Sequence, residues 1–192
     1  MVTPMLDRRH AVRLLLEPRG DMLVVCGLGS PTYDVAAAGD DDRNFYLWGA
    51  MGGAAMMGLG LALARPDRRA LVVTGDGEML MGLGALATIG VQKPANLAIV
   101  VLDNGAYGET GMQASHTARG ADLAAIARGC GIARALDVVD DDGLTALARE
   151  VRVAQGPIFA TVRVGATEHE RVLPLRDGVA LKLRFRRALG IG

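Results

Sequence analysis

The chain has 192 residues, enough for one domain with a sizeable core. Hydrophobic residues make up 51% and charged residues 22%, as in ordinary globular proteins, and 21 basic against 21 acidic residues leave no net charge to attract nucleic acid or an anionic membrane. An aromatic content of 4% argues against base-stacking platforms, whereas 26 glycines point to backbone that turns sharply or approaches a ligand closely.

The opening residues 1–12 lack the basic-then-apolar order of a signal peptide. A helix is predicted over 7–17 and a strand over 22–27, with Cys26 as a small buried hydrophobe. Acids 40–42 read as a solvated loop before a strand at 45–48. The apolar stretch 50–64 is rich in Gly and Ala and too short to span a bilayer, so it reads as a helix, and a cytoplasmic location is expected. Strands follow at 70–75 and 97–103, with a helix at 80–89 between them. Helices at 121–128 and 143–153 come next, the second preceded by another acidic loop, 140–142. A strand at 158–164 leads to an amphipathic helical tail from about 175 to 192.

Three strands, MLVVCG, ALVVTG and LAIVVLD, are continuously apolar, the mark of strands buried on both faces. Alternation with helices makes the class α/β, a mostly parallel sheet flanked by helices. The whole of 1–192 is expected to be a single domain with a helical tail. The two cysteines, Cys26 and Cys130, have no zinc or iron–sulfur spacing.

The informative region runs from Trp48 to Thr117. Gly75-Asp76-Gly77 falls between a predicted strand and a predicted helix, where free backbone N–H groups and the helix dipole attract phosphate. After Gly77 the positions 78–102 hold one helix and one strand, and then come Asp103 and Asn104. One helix and one strand return the chain to the same sheet edge, so Asp76 and Asn104 are expected at the carboxyl ends of neighbouring strands. A carboxylate and an amide oxygen converging beside a diphosphate suit Mg²⁺, which completes its shell with phosphate and water.

Gly75-Asp76-Gly77, the gap, and Asp103-Asn104 together resemble the motif of thiamine-diphosphate (ThDP) enzymes, with Asp103 where the family usually has Asn. The resemblance implies the diphosphate-binding domain of that family. It implies Mg²⁺ on the side chains of Asp76 and Asn104 and the carbonyl of Ala106. The backbone of Gly75, Gly77 and Glu78 would meet the diphosphate. Tyr107 would pack beside the metal loop, and Gly108 and Glu109 would follow it, Glu109 opening a helix near the diphosphate. Met51, in Trp48-Gly49-Ala50-Met51-Gly52, matches the bulky apolar prop that bends the cofactor, and Gly49 matches the carbonyl that meets the pyrimidine amine. Residues 45–52, 76–89 and 103–117, with Cys26-Gly27-Leu28-Gly29-Ser30-Pro31, look like the beta chains of sulfopyruvate decarboxylase and the related phosphonopyruvate decarboxylase.

The implied activity is non-oxidative decarboxylation of a 2-oxo acid of the sulfopyruvate or phosphonopyruvate type, giving an aldehyde and CO₂, with Thr110, Gln113 and His116 as candidates near the reacting carbon. The family's pyrimidine-binding domain carries an essential Glu, and only 44 residues precede Phe45, too few for a second α/β domain. The resemblance therefore implies an alpha subunit that brings the Glu, in a hetero-oligomer. Two other readings stay open: an acetolactate-synthase-like carboligase subunit, and a catalytically silent ThDP-binding regulatory subunit. A ferredoxin oxidoreductase would need about four cluster thiolates. A generic nucleotide fold would need a Gly-x-Gly-x-x-Gly turn or a Walker lysine.

Overall fold

The structure is a computed structural model that describes residues 5–191; the first four residues and Gly192, the last position of the expected tail, lie outside the described residues. Helix α1 (Arg8–Leu16) starts on the side chain of Asp7, which accepts from the His10 N–H. The chain continues through β1 (Leu23–Cys26), α2 (Ser30–Ala37), β2 (Asn44–Tyr46), α3 (Ala54–Ala64) and β3 (Ala70–Gly75). It then forms α4 (Asp76–Met81), α5 (Ala85–Gln92) and β4 (Leu97–Asp103). A small antiparallel ribbon, β5 (Ala106–Tyr107) with β6 (Gln113–Ala114), stands apart from the main sheet. Helix α6 (Leu123–Gly129), β7 (Arg134–Val138), α7 (Asp141–Val153), β8 (Ile158–Arg163) and α8 (Gly178–Ala188) complete the order.

Six parallel strands lie in the order β2-β1-β3-β4-β8-β7. Alternate residues of the central strands divide between two cores. Val24, Leu71, Val73, Val100 and Val162 face α1, α2, α7 and α8. Val25, Val72, Ile99, Val101 and Phe159 face α3, α4, α5 and α6. A strand covered on both faces has no solvent side to punctuate its apolar run, which is why these segments read as continuous.

Helix α2 and strand β7 are additions to the predicted order. Pro31 sits in the first turn of α2, where its missing N–H costs no hydrogen bond. Strand β7 is a sheet edge whose charged residues interrupt any apolar run. The helix expected over 80–89 is two helices, because Gly82 ends α4 where its backbone packs on Gly52. A Cβ on Gly82 would lie 2.2 Å from the Gly52 carbonyl oxygen. The tail helix begins at Gly178 rather than near 175, capped by Asp177.

The acidic triplets are largely exposed, as expected of solvated acids, and several of their carboxylates also make structural contacts. Asp40 accepts from the Tyr46 hydroxyl at 2.8 Å and pairs with Arg184 of α8 at 2.7 Å. Asp41 pairs with Arg43 at 2.6 Å. Asp140 caps α7 through the Gly143 N–H, with Asp141 and Asp142 in the first turn beside the positive end of the dipole. Cys26 is buried as expected, and burial pushes its thiol well above the ordinary range. Among the described residues no helix is long and apolar enough to cross a membrane.

After β1 the chain enters α2 on one face; after β3 it enters α4 on the other. Adjacent strands whose connections leave in opposite directions open a crevice at their carboxyl ends. That crevice is where the candidate site lies.

Candidate functional site

The crevice is lined by Leu28–Pro31 after β1, Gly75–Glu78 at the end of β3 and the start of α4, Asn104 after β4, and Ala106–Thr110 in the ribbon. Met51, from the loop before α3, and Arg8, from α1, close it. Gly75 pairs with Leu102 in the register of β3 and β4, so Asp76 and Asn104 follow adjacent strand ends.

Asp76 and Asp103 are both buried, at 2% and 1% exposure. Ser115 donates its hydroxyl to Asp76 Oδ2, and Thr117 Oγ1 lies 3.2 Å from the same oxygen. Thr117 Oγ1 is also 2.7 Å from Asp103 Oδ1 and 2.8 Å from Ser115 Oγ. Asp103 Oδ1 accepts the Gly105 N–H at 2.9 Å, and Arg163 meets Asp103 Oδ2 at 2.5 Å. The contacts among Asp76, Ser115, Thr117 and Asp103 outnumber the protons that two hydroxyls can supply. Such a cluster calls for a further proton or for a cation. Burial raises the Asp76 carboxyl above its usual range, opposed by the Ser115 hydrogen bond and reinforced by Asp103.

The donor set therefore fits a hard divalent ion. Both hydroxyl contacts fall on Asp76 Oδ2 and neither engages Oδ1, and Asp76 lines the crevice. Asn104 Oδ1 accepts the Ala106 N–H at 3.0 Å, folding the loop so that Ala106 lies beside it, and an amide oxygen has a second lone pair to offer.

Glu78 turns inward. Its Oε2 accepts from the Leu28 N–H at 3.0 Å and from Thr74 Oγ1 at 2.9 Å, tying the β1 loop to the start of α4 across the switch point. Gly27 makes room: a Cβ there would lie 1.6 Å from Glu78 Oε2. Burial raises the Glu78 carboxyl, opposed by the Thr74 hydroxyl and by the N–H groups of Leu28, Ala54 and Gly52. Gly77 lies under the Tyr107 ring, where a Cβ would stand 2.6 Å from two ring carbons. Only a glycine lets Tyr107 cover the turn.

The structure gathers most of the residues singled out in the sequence. Met51, Gly75, Asp76, Gly77, Glu78, Asn104, Ala106, Tyr107, Gly108, Glu109 and Thr110 all line the crevice. Gly49, at φ 72°, lies in the same loop as Met51 without lining it. Glu109 lies in the short 3-10 turn Gly108–Thr110 and packs against Gly29. Gln113 and His116 do not line the crevice. Gln113 clips the loop, accepting from the Thr110 hydroxyl and donating to the Thr110 carbonyl, both at 2.8 Å. His116 Nδ1 lies 3.1 Å from the Tyr107 hydroxyl.

The residues that sequence reasoning passed over are Arg8, Ser30, Ser115, Thr117 and Arg163, and the side chain of Glu78. Gly29-Ser30-Pro31 carried the one usable signal, a glycine and then a proline at a helix start. Ser115 and Thr117 lie within the stretch 103–117 that carries the family resemblance, but nothing local marks their hydroxyls as partners of the carboxylates, and Arg8 and Arg163 come from distant segments.

An α/β sheet with a loop-lined crevice at its switch point, holding buried carboxylates and glycine turns, defines a cofactor-binding domain of the doubly wound class. Residues 33–162 match the family described as thiamine pyrophosphate enzyme, C-terminal TPP binding domain, and the chain belongs to that family. It is 36% identical to the sulfopyruvate decarboxylase subunit beta of Methanocaldococcus jannaschii, over 95% of this chain and 96% of that one. It is 43% identical to the phosphonopyruvate decarboxylase of Streptomyces viridochromogenes, over 72% of this chain and 36% of that one. Among solved structures it superposes on a putative thiamin diphosphate-dependent enzyme from Mycobacterium smegmatis with a TM-score of 0.72 and 25% identity, covering 86% of this chain and 32% of that one.

Proposed function

We propose that this chain is the diphosphate-binding subunit of a ThDP-dependent, non-oxidative 2-oxo acid decarboxylase, acting on a substrate of the sulfopyruvate or phosphonopyruvate kind. The observation that carries the reading is the proton-poor carboxylate cluster of Asp76 and Asp103 at the switch point. Mg²⁺ would be held by Asp76, Asn104 and the Ala106 carbonyl, and backbone at Gly75, Gly77 and Glu78 would take the diphosphate. When bound, the cofactor supplies the electron sink for loss of CO₂ from the substrate. The protein's share is orientation. Met51, 41% exposed and lining the crevice, would offer the cofactor an apolar surface, and the Gly49 carbonyl would meet its amine. Thr110, in the crevice wall, is the best placed of the three candidates to meet the substrate. Gln113 and His116 would act through the loop that they clip, His116 by way of Tyr107.

The partner is an alpha subunit carrying the pyrimidine-binding domain and its Glu, with this chain as a single diphosphate-binding domain of a cytoplasmic hetero-oligomer. One observation supports it: a relative matched over nearly the whole of both chains is named a beta subunit. The exposed methionines Met51 before α3, Met56 and Met57 on α3, and Met81 on α4 suit an adaptable apolar interface.

Native mass spectrometry of the protein purified from its own cells with ThDP and Mg²⁺ tests this. The expected result is a complex with an unrelated chain, both cofactors bound, releasing CO₂ from a 2-oxo acid. A homo-oligomer that decarboxylates at full rate would sink the partner assignment.

A further inference from the structure

Arg8 is the only cation among the described residues that line the crevice. It projects from the first turn of α1 and is 9% exposed. Its Nε lies 3.5 Å from Oδ2 of Asp34, a fully buried carboxylate on α2. Arg9 shares that carboxylate, donating from Nε to Oδ1 at 3.1 Å. One carboxylate between two guanidinium groups leaves net positive charge. The 3.5 Å contact is one of charge alone, since neither Arg8 Nε nor Asp34 Oδ2 has a hydrogen-bond partner, and the Arg8 guanidinium is left buried at the crevice with its hydrogen-bonding capacity unmet among the described residues.

A second observation points to the same ligand. Ser30, the first residue of α2, lines the crevice beside Arg8, and the N-cap, Gly29, brings no side-chain acceptor to the helix start. Pro31 has no N–H and the Thr32 N–H bonds the Gly29 carbonyl, so Ser30 is the backbone donor that this helix start offers to the crevice, which the buried guanidinium also lines. Its place along the crevice is also defined. Arg8, Ser30 and Asn104 all border the adjoining cavity of about 580 Å³ as well, and Met51 does not. The cationic spot is thus at the Asn104 end, away from the apolar prop. Glu109 borders both cavities too, but its carboxylate has Arg171 at 3.9 Å.

We propose that Arg8, positioned by Asp34, donates its terminal nitrogens to the terminal phosphate of the bound diphosphate, together with the start of α2. This rests on the ThDP reading above. Neither the sequence motif nor the metal cluster involves α1, so the role is an addition to them. An oxyanion of the same tetrahedral class could also come from the substrate's sulfonate or phosphonate, and the experiment separates the two sources.

Calorimetric titration of the purified protein, with whatever chain accompanies it, would use Mg-pyrophosphate and Mg-ThDP in turn. Thermal melting without ligand checks that each variant folds. Arg8→Gln is expected to weaken both ligands by on the order of 10- to 100-fold, the span of a hydrogen bond between charged groups. Arg8→Lys, which keeps the charge beside Asp34 but not the fork, should fall between. Unchanged affinity for both ligands in folded Arg8→Gln overturns the proposal. So does unchanged ThDP affinity with a raised KM for the anionic 2-oxo acid, which would assign the guanidinium to the substrate. If Arg8→Gln does not fold, Arg8→Lys must still weaken pyrophosphate several-fold, or the proposal fails. Arg8-dependent binding of pyrophosphate by a wild-type protein that ignores ThDP would overturn the cofactor reading and leave the anion site standing.

Discussion

Arg163, at the end of β8, places Nη1 2.5 Å from Oδ2 of Asp103, at the end of the adjacent β4. Asp103 occupies the position where the ThDP motif usually has Asn, and its carboxylate is fully buried. The extra charge is thus accommodated by a guanidinium from the next strand, together with the Gly105 N–H and the Thr117 hydroxyl. The substitution is part of how the loop carrying Asn104 is held.

Removing Arg163 should therefore expose the cost of that charge. Arg163→Met is expected to lower stability by roughly 1–3 kcal/mol, less than for a fully buried pair because the guanidinium is partly solvated. Asp103→Asn in the same background should recover most of the loss. Urea unfolding of both single variants and the double variant checks this, and additive losses would show that the two side chains are uncoupled.

Asp76→Asn should separate folding from cofactor binding. Removing a buried carboxylate from a cluster short of protons is expected to leave the ligand-free protein as stable as wild type, or slightly more so. The rise in Tm that Mg-ThDP gives the wild type should disappear. Thermal melts with and without the cofactor would test it, and a retained ligand-induced rise would remove Asp76 from the metal site.

Gly77→Ala puts a methyl group against the Tyr107 ring. Overpacking of this kind costs about 1–3 kcal/mol, and the displaced ring should loosen the loop that carries Ala106. Tyr107→Ala added to Gly77→Ala should restore stability relative to Gly77→Ala alone. Denaturation midpoints of the four proteins read the coupling directly.

Asp40 predicts how acid acts on the tail helix. Burial alone would raise its carboxyl, but Arg184 and the Tyr46 hydroxyl outweigh it and hold the group below the usual range. A folded-state value below the unfolded one gives stability that is present above the unfolded pKa, near 4, and is lost as pH falls through the folded value. Asp40 is 41% exposed in its side chain, so screening keeps the contribution under about 1 kcal/mol. Asp40→Asn should be slightly less stable than wild type at pH 7 and equal to it near pH 2, as followed by unfolding at both pH values.

The layout of this protein was largely local information. Strands β3 and β4 fall at the predicted bounds because an apolar run ending in Gly or Asp is a complete local statement of a buried strand and its stop. Gly75-Asp76-Gly77 and Asn104 marked the crevice edge of the sheet for the same reason, since each lies where a strand ends. What the chain could not state locally was decided by packing. Helix α4 stops at Gly82 only because Gly52, thirty positions earlier, comes against it. Glu78 turns inward only because Gly27 leaves space across the switch point. Arg163 meets Asp103 only once β8 is inserted beside β4, and Arg8 reaches the crevice only because α1 packs beside α2. Sequence spacing encodes what lies within one turn or strand of a residue. Charge compensation, close backbone approach and the walls of a crevice depend on which distant segments the sheet order makes neighbours, and only the folded chain defines those.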